Sequence, residues 1–362
     1  MATVPMTGVQ SRTLHKTADG VIEWREVDVP EPGSRDALIK ISLSTVCGSD
    51  IHYVWDLPMP KGVDGLAMGH EVVGEVVAVG DHVRRFREGD RVAVSCLYSC
   101  GTCDPCLHGT QNMCDHYGKP PGYTNILSGG QGEYLISTDA DINLAPIPDG
   151  LSDEAALLAT DIMSVGFAAV ERGEVGLGDT VAVFAQGPVG LCATAGARAL
   201  GAGLVIAVES VPERAEMARR LGANVVLAPE EAADAIKELT GGRGVDVAVE
   251  ALGRPETFAT ALKATRINGV VSSVGVYTST RTLEVPLSPA FYQRKIVTSL
   301  SATGGGRLAQ LMRVLEHGQT GLEQLFTHRM PLSRTIEAYD LFRHRRDGVL
   351  KIALVPDAEA GR

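Results

Sequence analysis

The stretch TVAVFAQGPVG, residues 180–190, places a short apolar run directly before a turn that contains two glycines. Residues 181–185 are predicted to form a buried strand, and the small residues that follow Gly190 predict a helix. Strand, glycine turn and helix suit a pyrophosphate in this order, because the N–H groups at the start of the helix face its phosphates. The sequence therefore predicts a dinucleotide-binding loop at Gly187, Pro188, Val189 and Gly190.

Three further residues refine this prediction. The fingerprint G-x-G-x-x-G reads A-x-G-x-x-G here, so the turn at Ala185 must tolerate a methyl group. Glu209 ends the next predicted strand, where a carboxylate hydrogen-bonds the adenosine ribose and repels a 2′-phosphate. Arg214 is close enough in sequence to reach the same ribose. We therefore expect NAD rather than NADP, and a solvated charge at the strand end is the alternative for Glu209.

Apolar runs and helical stretches alternate after about residue 180, which predicts a parallel sheet with crossover helices. The predicted strands of this region are 181–185, 204–208, 245–249 and 270–274, and the predicted helices include 212–221 and 230–239. The first third of the chain instead predicts antiparallel strands at 37–43, 71–80 and 90–94. Two helices, 307–317 and 335–343, and a strand, 350–355, complete the map of a β domain interrupted by an α/β domain.

Length and charge exclude several classes of function. At 362 residues the chain predicts two domains. A formal net charge of −11 argues against nucleic acid or an anionic membrane as a partner, because both bind clustered Lys and Arg. The N-terminal segment lacks a basic stretch followed by an apolar one, so we expect a cytoplasmic protein.

Four of the seven cysteines follow a C-x2-C-x2-C-x7-C pattern, at Cys100, Cys103, Cys106 and Cys114. A cluster this tight lets one loop place four thiolates around a tetrahedral zinc ion. Two local disulfides or four unpaired thiols are the alternatives, which a reducing compartment disfavours. The pattern predicts a closed, structural zinc site.

A second constellation is weaker in each of its parts. Cys47 lies in the motif CGSDIH, His70 and Glu71 follow Gly69, and Asp161 lies in ATDIM. Taken singly, these residues are a core cysteine, a core histidine and a helix N-cap. Together they offer one thiolate, one imidazole and two carboxylates, the mixed donor set that a catalytic zinc uses.

These motifs together resemble the zinc-containing medium-chain alcohol dehydrogenases over essentially the whole chain. Cys47-Gly48-x-Asp50-x-His52, Gly69-His70-Glu71, the cysteine lobe, Gly187-x-x-Gly190 and Glu209 occur in the order and spacing of that family. The resemblance implies an α/β protein with a doubly wound, parallel-sheet Rossmann domain that binds NAD over residues 164–303. It also implies a GroES-like irregular β-barrel catalytic domain over 1–163 and 304–362, a zinc lobe at about 96–116, and a cleft between the domains.

The resemblance further implies one catalytic and one structural zinc per chain. Cys47, His70 and Asp161 would hold the catalytic zinc, with Glu71 as an occasional fourth ligand. Zinc would draw charge from the substrate oxygen, hydride would pass to NAD, and the proton would leave through Ser49 and His52. Further cofactor contacts are implied for Gly253, Gly275, Val276 and Lys351, the last toward the pyrophosphate, with a solvent-exposed lysine as its alternative.

Aspartate at position 161 looks like the bacterial secondary alcohol dehydrogenase branch, because many other members have cysteine there. That branch often lacks the structural zinc and uses NADP, whereas this chain has the cysteine lobe and Glu209. We therefore expect an NAD-dependent zinc alcohol dehydrogenase that converts a small alcohol, secondary in type, to a ketone or aldehyde. A polyol dehydrogenase of the sorbitol or butanediol type is the alternative. A zinc-free, crystallin-like relative is disfavoured by Cys47 and His70.

The predicted walls of the substrate pocket are Trp55, Leu57, Cys96 and Val276. Several relatives have an aromatic residue at the position of Cys96, so cysteine would leave room for a branched carbinol, and a core cysteine is an equal alternative. By the same resemblance we expect a homodimer or homotetramer joined through edge strands, here within residues 285–300.

Overall fold

The computed structural model describes residues 8–59, 65–116, 129–280, 282–286, 293–318 and 320–359. The chain divides into two compact units. Unit 1 comprises Met1–Asp161, Ser301–Gly318 and Glu323–Arg362, and unit 2 comprises Ile162–Leu300 and Gln319–Leu322. Within the described ranges, no helix combines the length and the hydropathy that a membrane crossing requires.

In its described residues, the first part of unit 1 contains eight strands and four α-helices: β1 Gln10–Lys16, β2 Ile22–Asp28, β3 Ala37–Thr45, α1 Gly48–Trp55, β4 Leu66–Ala67, β5 Val72–Val79, β6 Arg91–Val94, α2 Asp104–Leu107, β7 Tyr134–Ser137, α3 Ala140–Asn143, β8 Leu144–Pro146 and α4 Asp153–Thr160. Unit 2 then contains α5 Ile162–Arg172, β9 Thr180–Phe184, α6 Pro188–Ala199, β10 Leu204–Val208, α7 Pro212–Arg220, β11 Val225–Leu227, α8 Ala232–Leu239, β12 Val245–Glu250, α9 Pro255–Ala264, β13 Thr265–Ser273 and β14 Lys295–Thr298. The chain returns to unit 1 with α10 Gly305–His317, β15 Phe326–Pro331, α11 Thr335–Arg343 and β16 Lys351–Val355.

Unit 2 is built on a six-stranded sheet in the order β11-β10-β9-β12-β13-β14, and every pair of neighbours is parallel. The order reverses at β9, so the ends of β9 and β12 meet at the point where such sheets bind ligands. All five residues of β9 are buried, because apolar side chains pack against both faces of the sheet. The predicted doubly wound parallel sheet is confirmed.

Unit 1 is built on a seven-stranded sheet with β3 and β5 at its centre. Strands β3, β5, β6, β7, β8 and β16 pair in antiparallel fashion, and only β15 and β16 run parallel. A separate three-stranded sheet has the order β2-β1-β4. The first third of the chain is therefore an antiparallel region, as predicted.

In unit 2, strand β13 and the predicted edge segment differ most from their predicted bounds. Strand β13 begins at Thr265 rather than at residue 270, because its first half contains the polar residues Arg266 and Asn268, which hide the apolar pattern. A register shift between Val245 and Val247 and a left-handed Asn268, with φ of 61°, accompany this polar half. The predicted edge segment 285–300 contains only β14 as a strand, and its residues 287–292 lie outside the described ranges.

Candidate metal centre and cofactor loop

Strand register in unit 1 brings together residues that are far apart in sequence. Ser44 of β3 pairs with Val72 of β5, so the end of β3 lies beside the start of β5. Cys47 follows β3 and caps the N-terminus of α1, while His70 and Glu71 directly precede β5. Asp161 lies between α4 and α5 with a non-helical backbone, at φ of −144° and ψ of −74°.

The ligand atoms of Cys47, His70, Glu71 and Asp161 all lie within 4.8 Å of one another. Asp161 Oδ2 is 3.6 Å from Cys47 Sγ and 3.5 Å from His70 Nε2. Cys47, Glu71 and Asp161 are at most 9% exposed. The structure thus brings together all four residues that the sequence predicted around a catalytic metal.

The His70 ring is oriented by a chain of buried polar side chains. Asp50 Oδ1 is 3.1 Å from His70 Nδ1, and Asp50 Oδ2 accepts hydrogen bonds from the Cys47 backbone N–H and from Gln131 Nε2. The Tyr339 hydroxyl donates to Gln131 Oε1 at 2.8 Å. With Nδ1 engaged in this way, Nε2 is the nitrogen left for a metal.

The two carboxylate oxygens of Glu71 lie in different environments. Its Oε1 accepts a hydrogen bond from Lys351 Nζ at 2.5 Å, and both side chains are 1% exposed. Its Oε2 is buried and has no hydrogen-bond partner among the described residues. The alternative of a solvent-exposed Lys351 is therefore wrong, because β16 pairs with β3 and carries this lysine into the interior. A contact of Lys351 with pyrophosphate stays a prediction.

Burial and charge act against each other in this cluster. Burial lowers the pKa of His70, but Asp50 and Asp161 raise it by a larger amount, so the pKa of His70 lies well above its ordinary value. Burial raises the pKa of Asp161, but the hydrogen bond and charge of His70 lower it more, so that pKa is depressed. Burial and the charge of Glu71 raise the pKa of Cys47.

Cys96 lies beside the same cluster. It is 2% exposed, and its thiol is 3.5 Å from Asp161 Oδ1 and 3.4 Å from Ser301 Oγ. The other three predicted pocket walls are partly exposed: Trp55 38%, Leu57 38% and Val276 46%. Trp55 packs edge-on against Tyr339, with the Arg343 guanidinium 4.2 Å from the centre of its ring.

The two predicted relay residues lie on α1. Ser49 Oγ is 3.2 Å from His70 Nε2, so this hydroxyl is at the metal cluster. His52 is one helical turn further along, with Nδ1 2.5 Å from Asp56 Oδ2 and a side chain that is 31% exposed. The structure therefore places Ser49 inside and His52 toward solvent.

The four cysteines of the lobe also converge, since their sulfur atoms lie within 4.8 Å of one another. No disulfide joins any of the seven cysteines, so the disulfide alternative is wrong. Cys100 Sγ accepts backbone N–H groups from Thr102 and Cys103, and Cys114 Sγ accepts those of Cys100 and His116. Burial raises the pKa of Cys100, but the bonds from Thr102 and Cys103 lower it more, to about 6. Such donors stabilise thiolates, the form that binds zinc.

The glycine loop of unit 2 has the predicted geometry at its helix. Gly187 caps α6, Pro188 and Val189 begin its first turn, and a side chain at Gly187 would meet no atom within 4 Å. A Cβ at Gly190 would lie 1.9 Å from the Ala185 carbonyl oxygen, so only glycine permits this approach of helix and turn. Ala185 itself has φ of 73°, a left-handed conformation that its methyl group disfavours. The turn accepts the methyl group, at the cost of strain.

Glu209 lies directly after β10, as predicted. Its Oε2 accepts the Gln186 backbone N–H, and its Oε1 accepts the N–H groups of Ser210 and Val211, at 2.8 to 2.9 Å. The carboxylate is thus fixed beside the glycine loop. Arg214 lies in the first turn of α7 and is half-buried.

Gly253 and Gly275 meet where β12 and β13 end. A Cβ on Gly253 would lie 2.3 Å from the Val276 carbonyl oxygen, and one on Gly275 would lie 2.1 Å from the Gly253 nitrogen. The fully buried Glu250 holds both loops, accepting the Gly253 N–H and the hydroxyl groups of Ser273 and Tyr277. The sequence analysis missed Glu250, whose place at the end of a buried strand was its only signal.

Comparison with known proteins identifies the family. Residues 33–149 match the model of the alcohol dehydrogenase GroES-like domain, and residues 188–317 match that of the zinc-binding dehydrogenases. The chain is 42% identical over 357 residues to an alcohol dehydrogenase of Cupriavidus necator, covering 93% of this chain and 96% of that protein. The chain belongs to the zinc-containing medium-chain alcohol dehydrogenases.

Two other members of this alcohol dehydrogenase family are similar over most of their length. The NADP-dependent isopropanol dehydrogenase of Thermoanaerobacter brockii is 33% identical over 314 residues, covering 85% of this chain and 89% of that protein. The solved structure of alcohol dehydrogenase TADH from Thermus sp. ATN1 has a TM-score of 0.87 at 32% identity, covering 95% of this chain and 99% of that one. The predicted fold, a GroES-like domain with a Rossmann domain, is confirmed.

Membership of the alcohol dehydrogenases makes zinc and a nicotinamide dinucleotide the cofactors, and the CH–OH group of a small alcohol the substrate. The residues present fit zinc at both clusters. At one, the unpartnered Oε2 of Glu71 and a mixed thiolate, imidazole and carboxylate set suit a metal that keeps a position open for substrate. At the other, four sulfurs supported by backbone N–H groups suit a closed site.

Sequence reasoning missed three polar residues of this alcohol dehydrogenase that support the metal ligands: Asp50, Gln131 and Tyr339. Asp50 was visible in the motif CGSDIH, between two residues to which roles were assigned. Gln131 and Tyr339 gave no signal, because their contacts depend on tertiary folding across 208 residues of chain.

Proposed function

We propose that this protein is an NAD-dependent zinc alcohol dehydrogenase that oxidises a small secondary alcohol to its ketone and catalyses the reverse reaction. The convergence of Cys47, His70, Glu71 and Asp161 carries this proposal, because it pairs a buried mixed donor set with the fold of a hydride-transfer family.

Cys47, His70 and Asp161 are the ligands of the catalytic zinc in this proposal. Glu71 is a reserve ligand, since Lys351 holds one of its oxygens and leaves the other facing the cluster. When bound, zinc supplies Lewis-acid polarisation of the substrate oxygen. Cys100, Cys103, Cys106 and Cys114 hold the structural zinc, which stabilises the lobe and takes no part in the chemistry.

Ser49 and His52 carry the proton away from the buried site. Ser49 Oγ, 3.2 Å from His70 Nε2, is at hydrogen-bond distance from the cluster, and it would accept the proton of the substrate hydroxyl as it passes its own proton on toward His52. His52 is partly exposed and exchanges protons with solvent, while Asp56 holds its Nδ1. The free ring nitrogen is then the one that receives the proton.

NAD is the proposed cofactor because of Glu209. Its carboxylate is fixed by three backbone N–H groups beside the glycine loop, where it accepts the ribose hydroxyls and repels a 2′-phosphate. Further contacts to the cofactor are proposed for Arg214 at the ribose, for Gly253, Gly275 and Val276 at the loops after β12 and β13, and for the helix start at Gly187, Pro188, Val189 and Gly190.

The test is a matched panel with the purified protein. NAD⁺ and NADP⁺ are each offered with a secondary alcohol, its primary isomer and a vicinal diol, and nucleotide reduction is followed at 340 nm. We expect the highest kcat/KM with NAD⁺ and the secondary alcohol, and loss of activity with a chelator that zinc restores. No reduction with any member of the panel would overturn the proposal, and a preference for the diol would indicate a polyol dehydrogenase instead.

A matched pair of variants separates the two parts of the proposal. Asp161→Asn should abolish turnover while NADH binding, read by the fluorescence of its nicotinamide ring, is retained. Glu209→Ala should reduce the preference for NAD⁺ over NADP⁺ by about tenfold, since removing the charge removes the repulsion. An unchanged cofactor ratio in Glu209→Ala would contradict the assignment of this residue.

We further propose a homodimer or homotetramer in the cytoplasm. Strand β14 supports the assembly, because it is the last strand in the order of the unit 2 sheet and pairs only with β13 in the described part of the chain. Light scattering coupled to size exclusion distinguishes monomer, dimer and tetramer, and a monomer would contradict the proposal.

A further inference from the structure

The two carboxylate oxygens of Asp161 face different groups. Oδ2 faces the other donors of the cluster, at 3.6 Å from Cys47 Sγ and 3.5 Å from His70 Nε2. Oδ1 faces the thiol of Cys96 at 3.5 Å. Asp161 lies between two helices and has non-helical dihedral angles, so a helical backbone does not fix the direction of its side chain.

Cys96 is held in place from two sides. It follows β6, is 2% exposed, and lies 3.4 Å from Ser301 Oγ, whose own hydroxyl donates to the Ala302 carbonyl. The neighbouring Ser95 hydroxyl bonds Thr303 and accepts the Gly304 N–H. The segment after β6 is therefore anchored to residues 301–304, which gives Cys96 a defined position.

The hydrogen-bond inventory directs the thiol proton to Asp161. The Ser301 hydroxyl has one proton, and that proton is used for the Ala302 carbonyl. Cys96 also has one proton, and a carboxylate oxygen is a stronger acceptor than a hydroxyl oxygen. The arrangement therefore leaves Oδ1 satisfied by Cys96 and Oδ2 without a comparable donor outside the cluster.

We propose that Cys96 is a positioning residue, whose thiol holds Asp161 Oδ1 so that only Oδ2 is presented to the catalytic metal. This inference rests on the proposed function. An apolar side chain at position 96 would leave Oδ1 buried and unpaired, and the carboxylate would turn to offer both oxygens to the metal. The thiol thus helps to keep a coordination position open for substrate.

Four variants test this inference. Cys96→Val removes the donor at similar volume, Cys96→Ala removes donor and volume, and Cys96→Ser keeps a donor. Cys192→Ala is the matched control, since it removes a different buried cysteine in α6. Each is loaded with zinc, and its affinity for the first of the two zinc ions to be lost is measured by competition with a chelator. Each variant is also loaded with Co²⁺ at the site that the chelator has emptied. The visible d–d absorption of Co²⁺ weakens as a tetrahedral site gains a ligand.

We expect Cys96→Val and Cys96→Ala to change the affinity for the catalytic metal by about 10-fold or more and to weaken the cobalt absorption. Cys96→Ser should retain the spectrum of the unsubstituted protein, and Cys192→Ala should match it in both measurements. Retention of the lobe zinc and an unchanged melting temperature show that a variant is folded. If Cys96→Val fails to fold, the comparison of Cys96→Ala with Cys96→Ser decides whether a donor at position 96 is needed.

The inference is overturned if both Cys96→Val and Cys96→Ala have the metal affinity and the cobalt spectrum of the unsubstituted protein. Cys96 would then be a core cysteine only. A protein that binds a single metal ion, at the lobe, would overturn the proposed function together with this inference. The two failures are distinguishable, because the second is seen in the unsubstituted protein and the first only in the variants.

Discussion

Ala185 is a residue whose local conformation conflicts with its side chain. It occupies the left-handed region with φ of 73°, which a methyl group disfavours by about 1 to 2 kcal/mol. The adjacent Gln186 offsets the strain, since its buried amide donates to the Val183 carbonyl and accepts the Thr194 hydroxyl. The glycine loop is thus held by a polar side chain between β9 and α6.

Ala185→Gly should therefore raise the free energy of unfolding by about 0.5 to 1 kcal/mol, because glycine adopts this conformation without strain. Urea denaturation measures the change. The control is Ala193→Gly in α6, a helix interior where glycine should cost about 1 kcal/mol. A loss of stability in both variants would show that Ala185 is not strained.

At the residue scale, the sequence predicted which residue types gather at the metal site but not how they pair. Cys47, His70 and Asp161 are recognisable because their motifs have the spacing of a known family. Lys351 was assigned only to the cofactor or to solvent, because its bond to Glu71 spans 280 residues and depends on the pairing of β16 with β3. The tertiary fold decides that β16 pairs with β3, and neither strand's sequence alone shows this contact.

The cysteine lobe is an element whose stability depends on metal. Its helix α2 has only four residues, too few to be stable in isolation, and zinc bound by the four thiolates would hold it together. Cys103→Ser should lower the melting temperature and release the lobe zinc, while kcat falls less than about twofold because the lobe takes no part in the chemistry. Calorimetry, metal analysis and steady-state kinetics check this. A folded variant without activity would contradict the division between structural and catalytic metal.

Asp246 links three parts of the unit 2 sheet. It is 9% exposed, and it accepts the Thr180 N–H at 2.8 Å, Arg243 at 2.9 Å and Arg266 at 2.6 Å. Burial raises the pKa of Asp246, but the bonds from Thr180, Arg266 and Arg243 lower it more, so the folded pKa is depressed. The charged form is therefore favoured by folding, which makes the stability of unit 2 dependent on pH.

The sign of this dependence follows from linkage. The contribution of Asp246 is fully present above the unfolded pKa of about 3.9 and is lost as pH falls through the lower folded pKa. Asp246→Asn should cost about 1 to 3 kcal/mol at pH 7, and its difference from the unsubstituted protein should shrink below about pH 4. Urea unfolding at pH 7, 4 and 3 measures it, with the exposed Asp234→Asn as control. A constant difference down to pH 3 would contradict the assigned role.

At the element scale, strands with continuous apolar runs were predictable and strands with polar halves were not. Strand β10 matches its prediction because all five of its residues are apolar. The first half of β13 was missed because Arg266 and Asn268 interrupt its apolar pattern, and Thr265 joins the strand through its pairing with Val245 of β12. Tertiary contacts decide such segments, and local preference does not.

At the scale of the whole molecule, the metal donors and the dinucleotide loop belong to different units. Cys47, His70, Asp161 and the cysteine lobe lie in unit 1, whereas the glycine loop and Glu209 lie in unit 2. In the sequence, short apolar segments separated by glycine and proline give way to apolar runs that alternate with helical stretches, which is the pattern of a parallel sheet with crossover helices. The residues 319–322, which group with unit 2, have no such pattern.

This division predicts that the two cofactors stabilise different parts of the chain. A ligand stabilises the state that binds it, and at 100 times its dissociation constant the gain is about 2.7 kcal/mol. Removal of zinc should therefore accelerate amide hydrogen exchange in β3, β5 and α2 of unit 1, while saturating NAD⁺ should slow exchange in β9, α6 and β10 of unit 2 by up to about 100-fold. Mass spectrometry of peptides from each unit measures both effects in the full-length protein.

The Cys103→Ser variant serves as the control, because it should reproduce only the part of the zinc effect that arises in the lobe. Equal loss of protection in both units on zinc removal would show that the chain unfolds as one cooperative body, and the separate placement of the two cofactors would then have no energetic counterpart.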